Sequence, residues 1–209
     1  MAENEILSIN TEELAQVKPL ATKINVPTFT LVPEDSDYLK HPTTAFDFSN
    51  PPVNPNEFAS SLVETCKQHK ALGLSANQCG FTYRVFVAGH GDNYVAYFNP
   101  KIISVSEDTE IGPEGCLSFP HLYLNVIRSK AVDIEYQDYL GETHTAHLEG
   151  LTARVVLHEC DHMDGVVFTQ KTKPLALQMG VKKRAKFFQK MNKAMKNIAK
   201  LQQLEGNAN

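Results

Sequence analysis

The spacing of apolar residues along the chain predicts three helices. The first covers about residues 55–70 and follows Asn54, a residue type that caps helix N-termini well. The second runs from Leu151 to Met163 and is followed by Gly165, a common stop signal. The third runs from Val181 to about Leu204. Each pattern is long enough to present an apolar face to a core.

Between the first two helices, short apolar or alternating segments predict β-strands. These strands are Arg84–Ala88, Tyr94–Phe98, Lys101–Val105, Val126–Tyr136 and Glu142–Leu148, with a turn at 138–141 before the last. Residues 32–56, rich in Pro, Asp and Ser, are predicted to form a loop, and Val166–Thr169 to be extended. This arrangement indicates an α+β fold in which antiparallel or mixed sheets pack around the central helix, with a C-terminal helix after it.

The length and composition are those of one globular domain. Of the 209 residues, 42% are apolar and 21% are charged. No apolar run is long enough to span a membrane, and the acidic first residues lack the apolar core of a signal peptide. The four cysteines show no disulfide framework. We therefore expect a protein of the reducing cytoplasm.

Charge is distributed unevenly along the chain. The net charge is −4, yet residues 181–200 contain eight Lys or Arg and no acidic residue, which leaves twelve basic and twenty-four acidic residues elsewhere. A basic segment of this kind indicates an anionic partner.

The segment HECDH at residues 158–162 carries the most informative chemistry. Residues four apart lie on one face of a helix, so His158 and His162 are placed to bind one metal ion. Glu159, beside the first histidine, is placed to exchange protons with a water at that ion. The segment therefore predicts a metal-dependent hydrolase.

A catalytic site of this type usually has a third protein ligand and one open position. Downstream candidates are nearly excluded. Phe168 stands where one class of zinc hydrolases has its third ligand, and the only acidic residue after Asp164 is Glu205. The best upstream candidate is Cys116, because a thiolate is a strong ligand for Zn(II) or Fe(II).

A third segment, LGLSANQ at residues 72–78, lies between the first predicted helix and the strands. It is a run of small residues that ends in the side-chain amide of Gln78. Such an amide can donate a hydrogen bond to a polarised carbonyl oxygen.

Together these segments resemble the signature motifs of the peptide deformylases. They read GLSANQ at 73–78, EGCLS at 114–118 and HECDH at 158–162, in the family's order and with similar spacing. The resemblance extends from about Phe29 to the C-terminal helix. It implies a metal-dependent hydrolase that removes the formyl group from N-formyl-methionine at the start of newly made proteins and releases formate.

The resemblance also implies a role for each residue of the site. The metal ligands are Cys116, His158 and His162. Glu159 moves the protons, and the Gln78 amide and the Leu117 main-chain N–H stabilise the oxyanion. The cofactor is one divalent metal ion, Fe(II) in the cell, with Zn(II), Ni(II) and Co(II) as alternatives.

Four further residues are expected to bind the substrate: Leu72, Gly73, Gly115 and Val155. The main chain near the two glycines pairs with the extended peptide like an added strand. The two apolar side chains border the pocket for the methionine.

These expectations divide the chain into a lead-in at 1–28, a catalytic core at 29–180, and a basic helix and tail at 181–209 that belong to the same domain. The expected partners are N-formyl-methionyl nascent peptides and, through the basic helix, the ribosome. We expect neither DNA nor a membrane as a partner. A plainer interpretation of the last helix is docking on the core through an apolar stripe: Val181, Ala185, Phe188, Met195 and Ile198.

Two other functions stay open from the residues alone. One is a metallopeptidase of the HExxH type that cuts internal peptide bonds. The other is a non-catalytic relative in which the metal is structural. The EGCLS segment counts against the first. Glu159 counts against the second, because a structural site needs no base.

Five further residues with reactive side chains are interpreted as ordinary ones. Cys66, Cys79 and Cys160 are expected to be packed thiols. His144 and His147 resemble a ligand pair, but they lie in the predicted hairpin and are expected at the surface.

Overall fold

The computed structural model describes residues 26–206. The predicted lead-in at 1–28 therefore lies almost wholly outside the described residues. The helices of the described part are α1 at Pro55–Gln68, α2 at Gly150–Met163 and α3 at Pro174–Gly206. Its strands are β1 at Gly73–Ser75, β2 at Val85–His90, β3 at Asn93–Val105, β4 at Thr109–Cys116, β5 at Phe119–Ser129, β6 at Ala131–Gln137 and β7 at Thr143–Glu149. Short 3₁₀-helices lie at Asp37–Leu39, Ala76–Cys79 and Phe168–Lys171.

The strands form two antiparallel sheets. One has five strands in the order β1-β2-β3-β6-β7, and the other consists of β4 and β5. α2 contacts strands of both sheets. The predicted α+β fold, with antiparallel sheets around a central helix and a C-terminal helix after it, is confirmed.

Side chains alternate between the two faces of the five-stranded sheet, as the period of a strand requires. On one face, Phe86 packs in a cluster with Val156 of α2. On the other face, Val87 packs in a cluster with Leu62 of α1. The five-stranded sheet is thus covered by a helix on each side, and α2 lies in the interior.

The start of α1 agrees with the prediction. The Asn54 side-chain oxygen accepts hydrogen bonds from the Asn56 and Glu57 N–H groups at 3.0 and 3.1 Å, which satisfies two of the free donors at the helix start. Past its end at Gln68, Lys70 has a φ angle of 54°. The chain leaves the helix there and enters β1.

The single strand predicted at Val126–Tyr136 is wrong. The structure breaks it at Lys130 into β5 and β6, which belong to different sheets. The Lys130 N–H donates to the Asp108 carbonyl at 2.9 Å, and the Lys130 carbonyl accepts from the Gly150 N–H at 2.8 Å. Both partners are distant along the chain, so the local apolar pattern holds no sign of this break.

β4 is missing from the sequence prediction because it contains residue types that are rare in strands: Gly112, Pro113 and Gly115. Conversely, the two strands predicted at Tyr94–Phe98 and Lys101–Val105 are one strand, β3. Its register with β6 shifts where the prediction placed the gap.

The C-terminal helix begins earlier than predicted, at Pro174 rather than Val181. A 3₁₀-helix at Phe168–Lys171 overlaps the segment predicted to be extended at Val166–Thr169. The second domain boundary, between residues 180 and 181, falls inside a continuous helix. The division of the chain into three parts stays a prediction.

α3 packs on the rest of the protein near its start and then leaves it. The His121 ring packs on Phe187, with 4.4 Å between ring centroids. Every residue from 189 to 199 is exposed, and Met195 and Ile198 are 61% and 55% exposed. The prediction that the whole apolar stripe of the last helix packs on the core is therefore wrong. In the described part of the chain, each helix is too short or too polar to cross a membrane.

A chain that ends at Gln189 should be about as stable as the full chain. Because the side chains described from 190 to 199 are all exposed, the free energy of unfolding should change by less than about 0.5 kcal/mol in urea denaturation. The matched change Phe188→Ala removes a half-buried ring next to His121 and should lower the free energy by about 1 kcal/mol. A loss above about 2 kcal/mol in the shortened chain would show that the distal helix packs on the protein.

Candidate active site

Three segments that are distant in the sequence meet at one point. Cys116 ends β4, and His158 and His162 lie one turn apart in α2. The possible ligand atoms of all three lie within 4.8 Å of one another. The Cys116 Sγ is 3.3 Å from the His162 Nε2, and the two imidazole centroids are 5.1 Å apart. The structure brings together the ligand set that the sequence predicts.

This donor set fits one divalent ion. Bonds of about 2.3 Å to sulfur and about 2.0 Å to nitrogen, at tetrahedral angles, place neighbouring ligand atoms roughly 3.5 Å apart. The separation of 3.3 Å between Cys116 Sγ and His162 Nε2 is close to this value. Three protein ligands are typical of a catalytic centre, since a structural centre usually has four.

Glu114, a residue to which the sequence assigned no role, orients His158. Its Oε2 lies 2.9 Å from the His158 Nδ1, which leaves the other ring nitrogen for a metal. Arg128 donates to both carboxylate oxygens, at 2.8 and 2.9 Å, and Arg154 donates to Oε1 at 3.0 Å. The only local signal for Glu114 is its place at the start of EGCLS.

The charges of these groups follow from their surroundings. Burial raises the pKa of Glu114, but hydrogen bonds from Arg128 and His158 outweigh burial and hold it at about 2. Burial lowers the pKa of His158, whereas hydrogen bonds to Cys116 and Glu114 raise it to about 10. Burial holds the pKa of His162 well below its usual value. The contacts with Arg128 and His158 thus favour the charged form of the Glu114 carboxyl.

Glu159 is buried beside the ligands. It is 4% exposed, and its Oε2 has no hydrogen-bond partner among the described residues. Burial raises the pKa of Glu159 to about 7, so the carboxyl exchanges protons readily near neutral pH. A Cβ atom on Gly73 would lie 2.5 Å from the Glu159 Oε1. Glycine at this position therefore allows β1 to approach the carboxylate closely.

The amide of Gln78 is oriented by Ser75, a residue that sequence reasoning missed. The Ser75 N–H and hydroxyl donate to the Gln78 Oε1 at 3.0 and 2.9 Å. The Gln78 Nε2 is thereby turned towards the Cys116 Sγ, 3.2 Å away, and the Ser118 hydroxyl, 3.1 Å away. Leu117 lies between these last two residues and is half-buried.

A cavity of about 640 Å³ opens onto these groups. All four residues predicted to bind substrate line it: Leu72, Gly73, Gly115 and Val155. The other predicted site residues that line it are Gln78, Cys116, Leu117, His158 and Glu159. His162 is completely buried behind them. A largely apolar cavity with a few polar groups at one end suits part of a peptide.

The main chain of Gly73 faces the cavity. Just before β1, the Leu72 carbonyl accepts a hydrogen bond from the Gly89 N–H of β2 at 2.8 Å. Successive residues of a strand direct their main-chain groups to opposite sides. The N–H and C=O of Gly73 therefore point away from β2, to an edge that no other described strand covers.

The main chain of Gly115 faces the same space from β4. Pro113 and Asn125 face each other across β4 and β5. Pro113 has no N–H to donate to the Asn125 carbonyl, which accepts a hydrogen bond from the Thr172 hydroxyl at 3.0 Å instead. This pair lacks mutual hydrogen bonds, and so does the pair two residues on, Gly115 and Tyr123. The N–H and C=O of Gly115 therefore point to the edge of β4 that no described strand covers.

The remaining reactive side chains lie elsewhere. Three cysteines pack in the two larger core clusters, as expected: Cys66, Cys79 and Cys160. His144 is 3.0 Å from the Asp138 carboxylate, and His147 is 2.6 Å from that of Asp133. Both histidines contact carboxylates from β7, and neither lines the cavity.

The chain is similar to proteins of one known family. A sequence model of the family described as polypeptide deformylase matches residues 29–178. A peptide deformylase from Thermotoga neapolitana is 43% identical over 113 residues, which cover 54% of this chain and 69% of that protein. A peptide deformylase from Thermotoga maritima is 38% identical over 133 residues, which cover 64% of this chain and 78% of that protein.

Solved structures show the same arrangement of helices and sheets. The crystal structure of the Thermotoga maritima peptide deformylase has a TM-score of 0.64 and 34% identity, and the match covers 70% of this chain and 99% of that one. A peptide deformylase from Synechococcus elongatus, in complex with actinonin, has a TM-score of 0.72 and 28% identity. That match covers 81% of this chain and 93% of the other.

Glu114→Gln should destabilise the protein and weaken its metal binding. An amide cannot balance the charges of Arg128 and Arg154, so the free energy of unfolding should fall by about 3 kcal/mol. The amide also orients His158 less firmly than the carboxylate does, so metal affinity should fall about tenfold to a hundredfold. Denaturation of the metal-free protein measures the first effect, and competition with a chelating dye measures the second.

The matched control for this change is Glu110→Gln. Glu110 is 64% exposed at its side chain and lies 3.7 Å from Arg154. Its replacement should change neither quantity by much, because an exposed ion pair contributes little. Equal effects of the two changes would contradict the role assigned to Glu114.

Proposed function

The chain belongs to the peptide deformylase family, and from this membership we propose that Glu159 moves the protons of the reaction at a metal held by Cys116, His158 and His162. The enzyme is a metal-dependent hydrolase that removes the N-formyl group from new peptides. The observation that carries the residue assignment is the convergence of the three ligands, whose possible ligand atoms lie within 4.8 Å of one another beside a cavity that Glu159 also lines.

Cys116, His158 and His162 hold the divalent ion. When bound, it would supply Lewis-acid chemistry, which would lower the pKa of a coordinated water from ~15.7 towards ~7 and polarise the formyl oxygen. The ion that we propose for the cell is Fe(II), by resemblance to the family. Zn(II), Ni(II) and Co(II) are alternatives, because a thiolate with two imidazoles accepts several metals of this group.

Glu159 accepts a proton from the attacking water and delivers it to the methionine nitrogen. The bond between the formyl carbon and that nitrogen breaks, and the products are formate and a peptide with a free amine. The buried carboxyl, one oxygen of which accepts no hydrogen bond from the residues that the structure describes, supports this assignment. Proton transfer by a positioned group typically contributes about 10²–10⁴-fold to a rate.

Gln78 and the Leu117 main-chain N–H stabilise the formyl oxygen as it gains negative charge. Ser75 holds the Gln78 amide with its NH₂ group towards Cys116, so the donor is oriented before the substrate arrives. Oriented donors of this kind need no reorganisation during the reaction, and loss of one typically costs about 10²–10³ in turnover.

The peptide substrate binds as an extra strand between β1 and β4. Gly73 offers its main-chain N–H and C=O from one side and Gly115 from the other, so an extended chain pairs with both edges. Leu72 and Val155 line the cavity between these edges and supply apolar surface for the methionine side chain.

The two alternative functions are less well supported. A metallopeptidase of the HExxH type lacks support because the family match includes the EGCLS segment and the whole of α2. A purely structural metal lacks support because the ligands border a large cavity and Glu159 stands beside them. Both properties are those of a centre that admits a substrate.

The partner and the location are also proposals. The ribosome is the anionic partner that we assign to α3, since the distal part of the helix is exposed and carries Lys190, Lys193 and Lys196 free of acidic neighbours in the sequence. Because its substrates are nascent peptides, we propose that the enzyme is located in the cytoplasm. The four free cysteines fit such a reducing compartment.

Glu159→Gln should keep the metal and lose turnover. The amide has nearly the shape of the carboxyl but cannot accept a proton, so formate release from N-formyl-Met-Ala-Ser should fall about 10²–10⁴-fold. Metal content, measured by mass spectrometry of the same sample, should match that of the wild type. Glu64→Gln, at an exposed residue of α1, is the control and should leave the rate unchanged. Full activity of Glu159→Gln would remove its assigned role.

Replacement of Lys186, Lys190 and Lys193 by Glu should weaken co-sedimentation with ribosomes. Each lost phosphate contact reduces both affinity and its dependence on salt. Turnover of a short formyl peptide should stay at the wild-type level, because these residues lie outside the cavity. Unchanged co-sedimentation at several salt concentrations would rule out this contact.

A further inference from the structure

Tyr123 lies at the mouth of the substrate cavity and lines it. Tyr123 is 71% exposed, the largest value among the large apolar residues whose burial the structure describes. An exposed ring is common on protein surfaces and indicates no function by itself. The position of this ring relative to the substrate-binding edge of β4 does indicate one.

The ring of Tyr123 covers Gly115. The two residues face each other across β4 and β5 in a pair without mutual hydrogen bonds, the type of pair in which side chains approach most closely. A Cβ atom on Gly115 would lie 2.8 Å from the Tyr123 Cε1 and 3.0 Å from its Cδ1. The ring therefore occupies the space above Gly115, and Tyr123 also lines the cavity onto which the open edge of β4 faces.

The direction of the substrate follows from the proposed function, on which this inference rests. β4 runs from Thr109 to Cys116, towards the metal ligands. The formylated end of the peptide lies at those ligands, so the peptide runs antiparallel to β4. Its methionine lies beside Cys116, and its second residue lies beside Gly115, whose N–H and C=O face it.

The side chain of the second residue points towards Tyr123. Successive side chains of an extended peptide point to opposite faces. The methionine points inward, to Leu72 and Val155, so the next side chain points outward. Tyr123 lies on this outward face, since exposed and buried residues alternate along β5. Because Gly115 is a glycine, it places no side chain between the Tyr123 ring and the side chain of the second residue.

We propose that Tyr123 selects the residue that follows methionine and favours an aromatic or large apolar side chain there over a small one. Two aromatic rings in contact are stabilised by an edge-to-face or offset arrangement. The second residue also shields the exposed Tyr123 ring from water. The expected preference for phenylalanine over alanine is about fivefold to tenfold in kcat/KM.

Formate release from N-formyl-Met-Phe-Ser and N-formyl-Met-Ala-Ser tests this role. The wild type should show the preference of about fivefold to tenfold, and Tyr123→Ala should bring the ratio close to one. Tyr123→Phe should keep the ratio, because the contact depends on the ring. Ile127→Ala is the matched control. Ile127 is 56% exposed on the same face of β5, four residues from Tyr123, and its replacement should leave the ratio unchanged.

A second readout does not depend on turnover. The affinities of the product peptides Met-Phe-Ser and Met-Ala-Ser for the metal-loaded protein, measured by calorimetry, should differ in the same direction and should converge in Tyr123→Ala. A wild-type ratio near one, or a ratio that Tyr123→Ala leaves unchanged, overturns the role of Tyr123 and leaves the proposed function intact. Absence of formate from both peptides overturns the proposed function and this role with it.

Discussion

The buried carboxylate of Glu114 holds the site together. It lies on β4 and pairs with Arg128 of β5 and with Arg154 and His158 of α2. Removal of these groups from water is costly, and their mutual pairing offsets that cost only while the strand and the helix keep their relative position. Because Cys116 is two residues from Glu114 on the same strand, the pairing that holds β4 against α2 also brings the Cys116 sulfur to the histidines.

A second constraint is the close approach of main chain to the reacting groups. Gly73 lies where a Cβ atom would collide with Glu159, and Gly115 lies where it would collide with Tyr123. Both residues also point their N–H and C=O groups at strand edges that border the cavity. Absence of a side chain thus does two things at each position: it lets the walls of the cavity come close, and it leaves main-chain groups open to a peptide.

The sequence predicts α2 and its two histidines well because helix period and ligand spacing are local properties. Cys116 required a chemical argument about the missing third ligand. The role of Glu114 could not be predicted from the sequence, because it depends on arginines that only the fold brings close to it. The break at Lys130 depends on distant main-chain partners in the same way. The apolar stripe of α3 indicated an amphipathic helix, but a periodic pattern does not reveal whether the rest of the protein covers that face.

The most direct measurement is formate release by protein purified without oxygen and loaded with Fe(II), with the metal content determined in the same sample. We predict about one ion per chain, and formate from N-formyl-Met-Ala-Ser but no product from its N-acetyl counterpart. Folded, metal-loaded protein that leaves the formyl peptide intact would contradict the assignment of this site to deformylation.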